Sequence, residues 1–260
     1  MARDKTIGAV APPSPLMGWL IHLYTASGIL WGLLALVAIF EGRFLSAYLW
    51  MAAAAIIDCT DGPLARRFRV AESVPQIDGC MLDNIVDYLT WTFVPIVLLL
   101  QSDWLAGPTW LWCSMALIGS AFAFVHRGSK ETDNGYFRGF PSYWNFFAFY
   151  VDTANRSLGP QWQELGPYVA SGMMVLFAVL TVAPVYFPYP NRMKKHLWFF
   201  LGGGLVWTGV CFSMLSFYPD IPTWLFCISV IYPISYLLIS LRMNLPIRHS
   251  SGKNHPRAMA

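Results

Sequence analysis

Four aspartates at helical spacing are the residues of this sequence best suited to do chemistry. Asp58 and Asp61 stand three apart and Asp83 and Asp87 four apart, all within IIDCTDGPLARRFRVAESVPQIDGCMLDNIVDYLTW at 56–91. At about 100° per residue, Asp58, Asp61, Gly62 and Ala65 share one face of a helix, and Gly79, Asp83 and Asp87 share one face of the next. A short link joins the two helices, so they are expected to lie antiparallel with their acidic faces meeting. Four gathered carboxylates repel one another unless cations neutralise them. All-oxygen ligation suits a hard divalent ion, Mg²⁺ or Mn²⁺. Four acids around a small gap suggest two ions, which can stabilise both the attacking and the leaving oxygen in phosphoryl transfer.

The elements that hold these acids are membrane helices. Apolar residues make up 56% of the 260-residue chain and charged residues only 12%, with mean hydropathy +0.48. Such a balance argues against a soluble protein. A bilayer core takes about 20 apolar residues in helix. Spans are expected at 24–41, 44–66, 79–101, 104–126, 142–156, 164–186, 196–217 and 222–241, eight in all. The fifth is interrupted by Asn145, Asp152 and Asn155. The apolar stretch from Ser14 to Phe40 exceeds one untilted span, so Pro15 to His22 is expected to lie at the interface and turn inward near Tyr24. Of the 17 Lys and Arg, all but Arg43 and Arg156 fall on the side that holds both termini. By the positive-inside rule that side is cytoplasmic, and the link after Arg66 lies there too. The fold class is therefore an all-α polytopic membrane helical bundle. Residues 1–23 form a cytoplasmic N-terminus with an interfacial amphipathic helix, 24–241 the transmembrane domain and 242–260 a basic cytoplasmic tail.

Ionisable groups at membrane depth are costly and mark function by default. The small residues Gly62, Ala65 and Gly79 clear the acidic face for a flat base or a diphosphate, although small residues also serve plain helix packing. Pro63 removes one helical hydrogen bond and should kink the second span. The five cysteines show no CxxC pair, which leaves neither a zinc site nor a disulfide framework to argue for. No cleavable signal peptide is expected. The net charge of +3, sorted strictly by loop, does not point to nucleic acid. His22, His126 and His196 read as interfacial residues, and the Gly28/Gly32 pair as a packing seam.

Asp58-x-x-Asp61-Gly62-x-x-Ala65-Arg66 followed by Gly79-x-x-x-Asp83-x-x-x-Asp87 resembles the signature of the CDP-alcohol phosphotransferases. The gap between Arg66 and Gly79 holds twelve residues, more than most of that family has. That gap, the DGPLAR wording, GFPSYWN at 139–145 and the span count look like the bacterial phosphatidylcholine synthase branch. The resemblance implies that choline attacks the lipid-side phosphorus of CDP-diacylglycerol, with CMP released, at the bacterial inner (cytoplasmic) membrane. It implies metal ligation by Asp58, Asp61, Asp83 and Asp87, with Asp87 also taking the hydroxyl proton. Gly62, Ala65, Arg66 and Gly79 would bind the CDP-lipid, and the chain would form a homodimer.

The acceptor is less constrained. An anionic alcohol would need basic residues beside the metals, and apart from Arg66 the candidates lie in loops where topology already accounts for them. Choline needs an aromatic or anionic pocket, for which Tyr88, Trp91, Tyr143, Trp144 and Phe146 are candidates, although an interfacial aromatic belt is the commoner explanation of such rings; the branch resemblance favours Tyr143, Trp144 and Asn145. Serine or another small alcohol is the adjacent alternative. A cation-coupled transporter would place its acids at mid-membrane between broken helices, unlike the pattern here.

Overall fold

A computed structural model describes residues 14–126, 130–131, 136–188 and 197–251. The chain is built from helices in the order α1 (Pro15–Ala26), α2 (Gly28–Phe40), α3 (Phe44–Arg67), the single turn α4 (Val70–Ser73) and α5 (Gly79–Asp87). A π-helical segment, Tyr88–Phe93, joins α5 to α6 (Val94–Gln101), followed by α7 (Thr109–Val125), α8 (Trp144–Ser157), α9 (Pro160–Val182), α10 (Leu197–Ser216) and α11 (Thr223–Ser251). Three short strands, β1 (Lys130–Glu131), β2 (Tyr136–Arg138) and β3 (Tyr186–Pro188), form an antiparallel sheet in the order β1-β2-β3. That sheet, within stretches expected as loop and span end, is the one departure from an all-helical chain among the described residues.

Among the described residues, six helical stretches are long and apolar enough to cross a membrane: Pro15–Phe40, Phe44–Arg67, Gly79–Gln101, Pro160–Val182, Trp198–Ser216 and Thr223–Arg242. The other two expected spans are helical but shorter, 17 residues in α7 and 14 in α8. Large apolar side chains point outward along these rods, among them Leu33, Ile118, Leu176 and Ile228. A water-soluble protein rarely leaves so many exposed, whereas lipid accepts them. The protein is a multi-pass membrane protein. Of the basic residues behind the orientation argument, Arg3, Lys5, Arg127, Arg192, Lys194, Lys195, Lys253 and Arg257 lie outside the described residues, as does His196.

Local chemistry explains the boundaries that matter for the acids. Ser14 caps α1 by accepting from the Met17 N–H, and the break between α1 and α2 falls at Ser27 rather than near Tyr24. Asp78 caps α5, accepting from the Met81 N–H at 3.0 Å. Pro95 has no N–H to offer the Trp91 carbonyl, and just ahead of it the helix widens so that the Val94 N–H reaches back five residues to Leu89. Helix α3 runs on through Pro63 to Arg67. Helix α2 packs on α3, α6 and the π-helical segment, with Gly28 against Val86 and Gly32 against Thr90 and Val94. Behind the acids lies a buried core that includes Ile96, Leu98, Trp144 and Met174.

The twelve-residue gap builds α4. Val70 and Val74 are buried, and α4 docks on α1 at Gly18, where an added methyl would stand 2.6 Å from Val74 Cγ2. Arg69 takes a left-handed backbone (φ 53°) and forms an ion pair with Glu72. The long gap therefore seats α1 against the ends of α3 and α5.

Candidate active site at the α3–α5 junction

Helices α3 and α5 bring three of the four acids together. One carboxylate oxygen from each of Asp58, Asp83 and Asp87 lies within 4.8 Å of the other two, and all three residues are half-buried. Asp58 lies in the second half of α3, which ends at Arg67, and Asp83 and Asp87 lie in α5, which Asp78 caps, so two helices supply the set. Three carboxylate oxygens at that spacing suit a hard divalent cation. Asp87 is the last residue of α5, where the π-helical segment begins, a feature common at functional sites.

Asp61 is not in that group. It is buried, with Thr25 of α1 beside it. Helical spacing alone put Asp61 beside Asp58; it could not reveal that α1 covers it. Gly62 lies under Arg66, whose Nη1 would stand 3.3 Å from a methyl at that position. Gly79 opens α5 beneath the ring of His22. Ala65 is partly exposed, one turn after Asp61.

A cavity of about 710 Å³ reaches Asp58 and Cys59 and runs between α8, α9, α10 and α11. Trp91, Tyr143 and Phe146 meet at one corner, with ring centroids 6.2, 5.8 and 6.0 Å apart. Trp207 continues the wall, 4.6 Å from Phe146 and stacked on Tyr232. Gly139, at φ +90°, lets 139–141 lie against the end of α9; its N–H donates to the Val185 carbonyl at 2.7 Å, and Phe140 stacks on Phe177. That docking places Tyr143 at the cavity.

Three candidate acceptor residues, Trp144, Tyr88 and Asn145, do not line this cavity. Trp144 is fully buried and donates its indole N–H to Ser120 at 2.9 Å, because it points from α8 toward α7. Tyr88 donates to the Leu117 carbonyl at 3.2 Å and packs edge-on against Phe124. Asn145 keeps a buried Oδ1 with no partner among the described residues. Sequence reasoning missed Tyr150, Trp207, Tyr232 and Tyr236, which line the cavity from helices whose mutual packing has no local signal.

A buried polar knot lies further along α8. Asp152 pairs with Arg156 at 2.7 Å and accepts from Tyr48 at 2.9 Å and Tyr218 at 3.0 Å. Arg156 also lies over the Tyr218 ring. The knot ties α3, α8 and the α10–α11 link, and it accounts for Asp152 among the polar residues that interrupt the fifth expected span.

Comparison with known proteins agrees with the motif. The CDP-alcohol phosphatidyltransferase family model matches residues 21–215. A phosphatidylcholine synthase of Rhizobium johnstonii is 32% identical over 214 residues, 82% of this chain and 84% of that protein. One from Pseudomonas aeruginosa is 32% identical over 200 residues, covering 76% and 80%. One from Legionella pneumophila is 34% identical over 194, covering 71% of each. With its eight-position signature split between α3 and α5 and the match spanning most of its length, the chain belongs to the CDP-alcohol phosphatidyltransferase family.

Proposed function

We propose that this phosphatidyltransferase is a phosphatidylcholine synthase, which transfers the phosphatidyl group from CDP-diacylglycerol to choline and releases CMP. The observation that carries the assignment is the three-carboxylate cluster, whose Asp58 also lines an aromatic cavity, in a chain similar over most of its length to phosphatidylcholine synthases. The donor set fits a divalent cation, Mn²⁺ or Mg²⁺. Asp58, Asp83 and Asp87 would hold it, with Asp61 the fourth carboxylate of a two-ion site. Bound there, such ions supply charge neutralisation for the diphosphate and the transferring phosphoryl group.

The chain's own groups divide the remaining work. Gly62, Ala65, Arg66 and Gly79 accommodate the CDP end of the lipid, with the Arg66 guanidinium available to phosphate oxygens. Asp87 takes the proton from the choline hydroxyl. That oxygen forms a bond to the lipid-side phosphorus as the bond to the CMP oxygen breaks. Tyr143, Trp91 and Phe146 turn the cavity corner toward the quaternary ammonium, which binds aromatic rings without a hydrogen bond. The cavity beyond is apolar and suits an acyl chain. Both termini, and the acids with them, face the cytoplasm at the inner membrane, which the distribution of Lys and Arg supports. A homodimer is proposed on family resemblance.

The test supplies purified protein and Mn²⁺ with CDP-diacylglycerol and, in parallel, choline, serine, glycerol phosphate or inositol. CMP release with choline is expected. Release with serine and none with choline would move the chain to the serine alternative.

A further inference from the structure

We infer that His22 of α1 completes the nucleotide half of the donor site, its Nε2 hydrogen-bonding the CMP portion of the CDP-linked lipid. This rests on the motif being the donor site. The side chain is only 8% exposed, and its Nε2 is buried without a hydrogen-bond partner among the described residues. Such an atom is uncommon in a folded protein and implies a partner in the loaded state. The ring lies directly over Gly79: a methyl built there would stand 3.1 Å from His22 Cε1 and 3.8 Å from Nδ1. Gly79 begins α5, one turn before Asp83 and two before Asp87. One turn along α1 from His22, Thr25 reaches Asp61. Helix α1 thus brings two buried polar side chains onto the motif.

Other partners fit less well. His22 is absent from the metal-capable group of Asp58, Asp83 and Asp87, and it does not line the aromatic cavity. What remains beside it is the face of small residues where a side chain is missing. A neutral imidazole nitrogen donates or accepts according to tautomer, which suits the carbonyl, amine, hydroxyl and phosphate oxygens of a cytidine nucleotide. The long gap has a role here, because α4 holds α1 in place at Gly18, one turn before His22.

The experiment titrates CMP, with Mn²⁺ present, into wild-type protein, His22→Leu and His22→Gln, and measures KM for CDP-diacylglycerol and for choline. Loss of one hydrogen bond should weaken CMP binding and raise the donor KM about tenfold in His22→Leu, leaving the choline KM unchanged. His22→Gln should recover most of the loss. Unchanged CMP affinity in His22→Leu would overturn the inference. If His22→Leu does not fold, the Hε1 resonance of His22 in wild-type protein decides: a shift on adding CMP supports the contact, and no shift overturns it. Arg66→Ala and Asp61→Asn, run beside these, separate the two levels. CMP affinity lost there but kept in His22→Leu removes His22 alone; affinity kept in all three removes the donor site and the inference together.

Discussion

Gly18→Ala is the sharpest perturbation of the scaffold, because it touches no residue proposed to meet substrate. Its methyl would stand 2.6 Å from Val74 Cγ2 and nearer still to Ser73 Oγ. Carbon atoms in contact sit about 3.5–4.0 Å apart, so α1 and α4 must separate by about 1 Å. Ser73 could rotate away, though it would give up its bond to the Val70 carbonyl; Val74 is fully buried and has nowhere to go. Overpacking of this kind costs about 1–3 kcal/mol. The displacement would be felt at His22 and Thr25, one and two turns along the same face of α1. A misplacement of about 1 Å near a reacting centre can cost as much as about a hundredfold in rate. Thermal melting in detergent should fall, and kcat/KM for CDP-diacylglycerol should drop about ten- to a hundredfold. Gly18→Ala with Val74→Ala should lose less than the two changes summed, since the second makes room for the first. Wild-type melting and kcat/KM in Gly18→Ala would refute the idea that the gap seats α1 on the site.

Further outcomes follow from the same geometry. Asp87→Asn should lower turnover by about 10²- to 10⁴-fold even at saturating Mn²⁺, as loss of a general base does; near-normal turnover would remove it as the base. Trp91→Ala or Tyr143→Ala should raise the choline KM several-fold, in keeping with about 1–2 kcal/mol per desolvated cation–π contact. Trp144→Ala should instead lower the melting temperature and leave the choline KM of the folded protein unchanged. The Arg69 guanidinium holds the exposed Glu72 carboxyl below the ordinary carboxylate range. A depressed folded-state pKa stabilises above the unfolded value and is lost as pH falls through the folded one. Glu72→Gln should therefore lower melting slightly at neutral pH and make no difference in strong acid, as melting curves at both pH values would show.

The helical class and the acid cluster were legible because both are written in local periodicity. Asp58 with Asp61, and Gly79 with Asp83 and Asp87, need only the helical repeat and a short link to be placed on facing surfaces. Their separation into a gathered trio and a covered Asp61 depended on α1, whose position follows from one glycine meeting α4 across some fifty residues of sequence. The aromatic pocket was half legible for the same reason. Tyr143 and Trp144 are neighbours in sequence, but they leave α8 in different directions, and only packing decides that Tyr143 lines the cavity while Trp144 fills the core. Trp207 and Tyr232 carried no signal, since a ring on one apolar helix does not announce its partner on another.

Manganese binding followed by electron paramagnetic resonance tests the metal centre most directly. Wild-type protein should deplete the sharp signal of free Mn²⁺, and Asp58→Asn, Asp83→Asn and Asp87→Asn, folded by circular dichroism, should each weaken that depletion. Depletion equal to wild type in all three variants would contradict a metal centre built from Asp58, Asp83 and Asp87.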